Sequence, residues 1–314
     1  MMGLFNAKCA STARLDGKTA VITGCNTGIG KITARDLYQR GAKVIMACRN
    51  LEKAKEAMEE IKQECKGQEN LGNLSVIPLD LSSLKSVRDI ALQLNEEEKK
   101  IDLLINNAGV MMCPLERTAD GFEMQIGTNH FGHFLLTMLL LPKIIKSAPA
   151  RIVNVSSLAH MNGKLDLDDI NWEKRSYSAI GAYGQSKLCN ILFTRQLALK
   201  LKESGITGVT VYSLHPGVIN TELTRHLDST YFQGLTRMFK AVGGWFMKTP
   251  EQGAQTTIHC AVSEEAGKET GLYYAECKPT SSTSAAENME DAKKLWIESL
   301  KIVNLPENFD PFTI

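Results

Sequence analysis

Residues 18–50 read KTAVITGCNTGIGKITARDLYQRGAKVIMACRN, and the reading of this stretch decides the fold. A short β-branched run, 18–24, stops at a glycine. Residues 29–41 then show helical periodicity up to a second glycine stop, and residues 42–48 return to an apolar, strand-like run. Two strands joined through a helix run parallel in one sheet. The turn between the first strand and the helix contributes Gly24, Gly28 and Gly30. Glycines at that place let the backbone approach a ligand closely, and the amides at the helix N-terminus favour an anion such as a pyrophosphate.

Outward from this unit the alternation continues. EKAKEAMEEIKQEC (52–65) reads as a charged amphipathic helix, LSVIPLD (74–80) as a third strand and IDLLINNAG (101–109) as a fourth. A long helix near 128–147, the strand ARIVNVS (150–156), a helix holding Tyr183 and the strand VTVYSLHPG (209–217) follow. The pattern predicts an α/β fold: a single-domain, Rossmann-type, doubly wound parallel sheet with helices on both faces. Near-continuous apolar strands are what a sheet buried on both faces requires. No repeat or low-complexity linker divides the chain, so residues 18–277 are read as one domain, 1–17 as an N-terminal extension and 278–314 as a C-terminal tail. Ligands in such folds gather at the carboxyl ends of the strands. Those ends carry Gly24, Arg49, Asp80, Asn106, Ser157 and Pro216.

Composition removes several function classes. The 314 residues are 43% hydrophobic and 23% charged, which is enough to bury a core without staples. With 36 basic against 35 acidic residues there is no electrostatic footprint for nucleic acid. Eight scattered cysteines form no C-x-x-C, and six histidines form no H-E-x-x-H, so no metal site is expected and the thiols read as reduced. His130 and His133, in NHFGHF, are given core or packing roles. The N-terminus lacks an apolar run of signal-peptide length, and FLLTMLLLPKII (134–145) is too short to span a bilayer. The expected location is intracellular, either cytoplasmic or peripherally on a membrane, and not secreted.

Tyr183 and Lys187 lie four residues apart, so their side chains emerge on one helix face. Alone that pair is commonplace. The turn TGCNTGIG, however, resembles the T-G-x-x-x-G-x-G of the short-chain dehydrogenase/reductase family, and NNAG (106–109), NHFGHF from Asn129, IVNVSS ending at Ser157, the Y-x-x-x-K of Tyr183 and Lys187, and HPG (215–217) occur in that family's order. The resemblance covers Lys18 to about Tyr273.

It implies a catalytic group of Asn129, Ser157, Tyr183 and Lys187, with Tyr183 exchanging a proton with a carbonyl or alcohol. A free phenol, with a pKa of about 10, is a poor base at neutral pH. A nearby Lys187 ammonium and the positive ring of an oxidised nicotinamide are expected to favour the phenolate. Of the two adjacent serines, the family's pattern assigns Ser157 to the substrate oxygen and leaves Ser156 structural. Asn106 is read as a backbone organiser beneath the cofactor. Asp80 stands where the family contacts adenine, although Asp80 or Ser82 could instead cap a helix.

The resemblance also implies a dinucleotide held by Gly24, Asn26, Thr27, Gly28, Ile29, Gly30, Arg49, Asp80, Leu81, Asn107, Ala108, Gly109, Tyr183, Lys187, Pro216, Gly217, Val218 and Thr221. NADP(H) is the expected cofactor, because the second strand ends in Arg49 with no carboxylate to repel a 2′-phosphate.

Within the family, TGCNTGIGK, MACRN and SLHPGVINTEL are most similar to the retinol dehydrogenase subgroup, which uses NADP(H) to interconvert retinol and retinaldehyde. That implies a lipophilic small-molecule substrate. A segment rich in large apolar residues, about 221–249, is expected to form a lid lining an apolar tunnel. Peripheral contact with a membrane surface and self-association as a homo-oligomer stay open beside it. So do a carbonyl reductase for isoprenoid aldehydes or steroids and a non-catalytic dinucleotide sensor.

Overall fold

The computed structural model describes residues 7–219, 248–306 and 309–313. The lid segment, with Thr221 in it, lies outside the described residues apart from Lys248 and Thr249.

Among the described residues, eight strands form one sheet in the order β3-β2-β1-β4-β5-β6-β7-β8. They are β1 (Thr19–Thr23), β2 (Lys43–Cys48), β3 (Asn73–Pro78), β4 (Leu103–Asn106), β5 (Ala150–Val155), β6 (Val209–Leu214), β7 (Leu272–Ala275) and β8 (Lys278–Pro279). All neighbours pair in parallel except β7 and β8, a short antiparallel hairpin at one edge. The chain winds outward through β1, β2 and β3, then crosses back to place β4 on the other side of β1. The crevice opened by such a reversal is where doubly wound sheets hold ligands.

Alternation along the strands explains the layers. Val21, Ile45 and Ala47 face one side, against α3 (Leu84–Glu97), α5 (Gly132–Lys146), α6 (Ala179–Glu203) and α9 (Met289–Ile302). Ala20, Ile22, Val44 and Met46 face the other, against α1 (Gly28–Gln39), α2 (Leu51–Glu64) and α7 (Pro250–Val262). The single turn α4 (Met124–Ile126) and the short α8 (Ser284–Glu287) complete the α-helices among the described residues.

Three long helices, α3, α7 and α9, went unread in the sequence, as did the short α4 and α8. Ser83 caps α3 by accepting from the Ser86 amide, and Thr249 and Gln252 close a capping box around Pro250 at the start of α7. Asn288 accepts from two amides to start α9. Residues 278–302, assigned from sequence to a tail, therefore supply a strand and two helices, and α9 buries Leu295 and Trp296 in the main core. All eight cysteines are free. No helix among the described residues is long and apolar enough to cross a membrane.

Candidate active site

A cleft of about 520 Å³ opens at the carboxyl ends of β1 to β6. One wall is the glycine turn. Gly24 has φ +62°, and a Cβ there would lie 2.7 Å from that of Ala108. At Gly30 a Cβ would come within 2.5 Å of both the Gly24 carbonyl and the Asn107 side chain. Asn26, Thr27, Gly28 and Ile29 also line the cleft. Thr27, the N-cap of α1, is extended and makes no side-chain capping bond, and the first turn holds no acidic residue. The amides of that turn are thus available to an anion.

The floor is the NNAG segment. Thr23 Oγ1 accepts from the amides of Asn107 and Ala108, both at 3.0 Å, and Asn107 Nδ2 donates to the carbonyls of Thr23 and Gly24 at 2.9 and 3.0 Å. Asn107 therefore organises the backbone there. Asn106, read from sequence in that role, instead donates to Thr137 of α5 and to Asn154 of β5, because strand alternation turns it away from the cleft.

At the end of β2, Arg49 is exposed, lines the cleft and makes no ion pair with the described residues. Lys53, missed in the sequence because it was counted among the solvated charges of α2, joins it one turn into the helix. Asp80 accepts from the amide and hydroxyl of Ser82. The capping role considered for Asp80 or Ser82 belongs to Ser83. Leu81, Pro216, Gly217 and Val218 complete this wall, with Gly217 at φ +91° over the Lys248 side chain. These features fit a phosphorylated dinucleotide: close-approach glycines, uncapped helix amides for a pyrophosphate, and two cations beside a strand end with no carboxylate.

The opposite end of the cleft holds the proposed chemistry. Ser178 caps α6 and sets its phase, so that Tyr183 and Lys187 share one face, with the Lys187 Nζ 5.7 Å from the Tyr183 ring centre. Tyr183 is 4% exposed and Lys187 is 3% exposed. Lys187 Nζ donates to the Val155 carbonyl at 3.0 Å. Ser156 spends its hydroxyl on the Lys187 carbonyl at 2.7 Å, whereas Ser157 is half-buried and lines the cleft.

Burial sets the electrostatics of the pair. Burial pushes the Tyr183 phenol up to about 12, against a smaller downward pull from the Ser157 hydrogen bond. Burial also brings Lys187 down to about 8. The cost of removing charge from water dominates both shifts, so the phenol holds its proton at neutral pH while the ammonium remains charged.

Asn129 sits beside the cleft rather than in its lining. It lies in a π-helical turn, Gly127–Phe131, where the Gly132 amide reaches the Gly127 carbonyl five residues back. Its side chain accepts from the Val110 amide at 2.8 Å and donates to the Val110 carbonyl and the Ser186 hydroxyl, both at 2.9 Å. A Cβ built on Gly109 would lie 3.2 Å from Asn129 Oδ1 and 3.4 Å from Lys187 Nζ, so glycine lets these groups converge. Met111, Met112, Leu158 and Ala159 also line this end and were not singled out in the sequence, where loop apolar residues carry no periodic signal. Among the described residues no cluster of His, Cys, Asp or Glu could hold a metal ion.

Residues 18–231 match the family model described as short chain dehydrogenase. Human retinol dehydrogenase 13 is 48% identical over 300 residues, spanning 95% of this chain and 88% of that protein. A solved structure of an uncharacterized protein from Mycobacterium paratuberculosis is 34% identical with a TM-score of 0.75, covering 96% of this chain and 98% of its own. The Pseudomonas aeruginosa RhlG/NADP active-site complex is 26% identical with a TM-score of 0.64, covering 83% and 95%.

Proposed function

The chain belongs to the short-chain dehydrogenase family, in its retinol dehydrogenase subgroup, and from that premise we propose that it interconverts retinol and retinaldehyde with NADP(H). It is an alcohol/aldehyde oxidoreductase; the proposal adds the substrate, the phosphorylated cofactor and the residues. The observation that carries it is one cleft with Arg49 and Lys53 at one end and the buried Tyr183–Lys187 pair beside Ser157 at the other. Two of the exposed large apolar side chains, Leu158 on the short turn after Ser157 and Val218 after β6, belong to the cleft lining. Such a lining favours a lipophilic substrate over a sugar or acid.

Bound in the cleft, the reduced nicotinamide supplies a hydride. Ser157 and Tyr183 hold the carbonyl oxygen of the aldehyde, and Tyr183, protonated at neutral pH, gives its proton to that oxygen. Lys187 keeps a positive charge next to the phenolate left behind. Asn129 and Gly109 keep the wall beside Lys187 in place.

An NADPH-coupled screen of retinaldehyde, farnesal, a steroid ketone and a short-chain aldehyde tests the substrate. Retinaldehyde should have the highest kcat/KM. A preference for the steroid ketone or the short aldehyde overturns the assignment.

The pH profile tests Lys187. Its folded-state pKa, about 8, lies below the ordinary value of 10.5, so the group is charged below pH 8 and neutral above. The kcat/KM for reduction should therefore fall roughly tenfold per pH unit above about 8. Between 8 and 10.5 the unfolded chain binds the proton that the folded chain has lost, so this group's contribution to stability rises over the window in which activity falls. A flat profile from pH 7 to 9.5 contradicts the role.

A further inference from the structure

His133 is 2% exposed and both of its ring nitrogens are engaged. Nε2 lies 2.8 Å from Thr23 Oγ1, and Nδ1 lies 3.1 Å from the Asn129 carbonyl. Hydrogen-bond accounting leaves one arrangement of protons. Thr23 Oγ1 already accepts from the amides of Asn107 and Ala108, which fills both acceptor positions of a hydroxyl. Its own proton has two destinations, His133 Nε2 at 2.8 Å or the Ile105 carbonyl at 3.5 Å, and the shorter contact is far the better bond. The Asn129 carbonyl can only accept, so Nδ1 must carry a proton. Burial brings the imidazole down to about 4, which removes the doubly protonated form at neutral pH.

We propose that His133, as the neutral Nδ1–H tautomer, is a positioning residue for the reaction: it links the Asn129 carbonyl, through the Thr23 hydroxyl, to the amides that form the dinucleotide floor. The link joins parts of the chain far apart in sequence, since Thr23 and His133 are 110 residues apart. At one end, Thr23 fixes Asn107 and Ala108. At the other, Asn129 holds Val110 and Ser186 and stands beside Gly109 and Lys187. A π-turn is a strained local solution, and such turns recur at functional sites. The imidazole Nδ1–H supplies its Asn129 carbonyl with a donor one turn along. His130, by contrast, packs among the rings of Phe131, Phe134 and Phe193, as the sequence reading expected of both histidines.

This inference rests on the catalytic reading of Tyr183 and Lys187, and its tests separate the two. In the full-length wild-type protein labelled with ¹⁵N-histidine, the His133 ring should show a protonated Nδ1 and an unprotonated Nε2 at pH 7, without cofactor or substrate. The opposite tautomer overturns the proposal. His133→Asn keeps a donor near the Nδ1 position, His133→Gln keeps an acceptor near Nε2, and His133→Phe keeps only the volume.

Loss of the donor removes the imidazole bond to the Asn129 carbonyl, so His133→Gln and His133→Phe should lose about tenfold or more in kcat. His133→Asn should keep kcat within about threefold while raising the Kd for NADPH. Melting temperatures accompany each variant. Equal kcat losses in all three, tracking their loss of melting temperature, would show a packing residue and overturn the proposal, as would wild-type kinetics in a folded His133→Phe. Tyr183→Phe serves as the control: if it alone retains turnover the catalytic reading fails, while the ¹⁵N result still decides the hydrogen bonds.

Discussion

A Tyr183→Phe protein should bind NADPH with nearly wild-type affinity and turn over on the order of 10²-fold more slowly, or worse, the usual consequence of losing a positioned proton donor. The substitution removes one oxygen and keeps the ring. Tyr183 is buried on α6, so phenylalanine fills the same space and the melting temperature should change little. Ser157 retains a partner in the Ala159 amide, which donates to its Oγ at 3.1 Å, and so does not become an orphaned polar group. What disappears is the proton for the substrate oxygen. Single-turnover reduction of retinaldehyde beside an NADPH titration reads both quantities. A kcat near wild type would remove Tyr183 from the mechanism.

The second large effect is expected at Arg49. Arg49→Ala should weaken NADPH binding by about 1.5 to 3 kcal/mol, the range for hydrogen bonds to a charged group, or roughly 10- to 150-fold in Kd. NADH binding should change little. Arginine offers a planar fork of donors that a phosphate can accept in pairs, and Lys53 beside it is a point charge without that geometry. Some preference for NADPH should therefore survive in Arg49→Ala and vanish in the Arg49→Ala, Lys53→Ala pair. Equal losses for NADPH and NADH would mean that Arg49 supports the loop instead of reading the phosphate.

The sequence exposed those parts of the molecule whose function is local. The glycine turn between β1 and α1, and the spacing of Tyr183 and Lys187 on α6, are properties of a few consecutive residues and read directly. Strand ends were legible because a parallel sheet buries its strands and makes them continuous apolar runs. Helix α3 was legible in principle, since Ser83 stands at the cap of an amphipathic run, and α7 carried a capping box in TPEQ. Less accessible were features that depend on distant partners. The π-turn around Asn129 is held by Val110 and Ser186, the polarity of His133 by Thr23, and α9 by the back of α6. The upward push of burial on Tyr183 was also hidden from the sequence, because depth of burial is a tertiary quantity.

The strand order 3-2-1-4-5-6-7-8 is also a timetable for synthesis. A chain leaving the ribosome N-terminus first can pair β1, β2 and β3 early, but the edge of β1 that ends up at the middle of the sheet stays bare until β4 emerges. The contact that seals it, the Thr19 amide on the Asp102 carboxylate, spans 83 residues. Helix α6 waits longer. Its outer face is covered by α9, where Trp296 lies 6.0 Å from Phe193, and the neighbouring contact of His130 with Ser299 spans 169 residues. Such long-range closures are entropically costly and come late. Tyr183 and Lys187 are thus translated well before the helix that carries them can be packed, and a nascent chain has its reactive groups in hand but no working cleft until nearly its last turn of helix has been made.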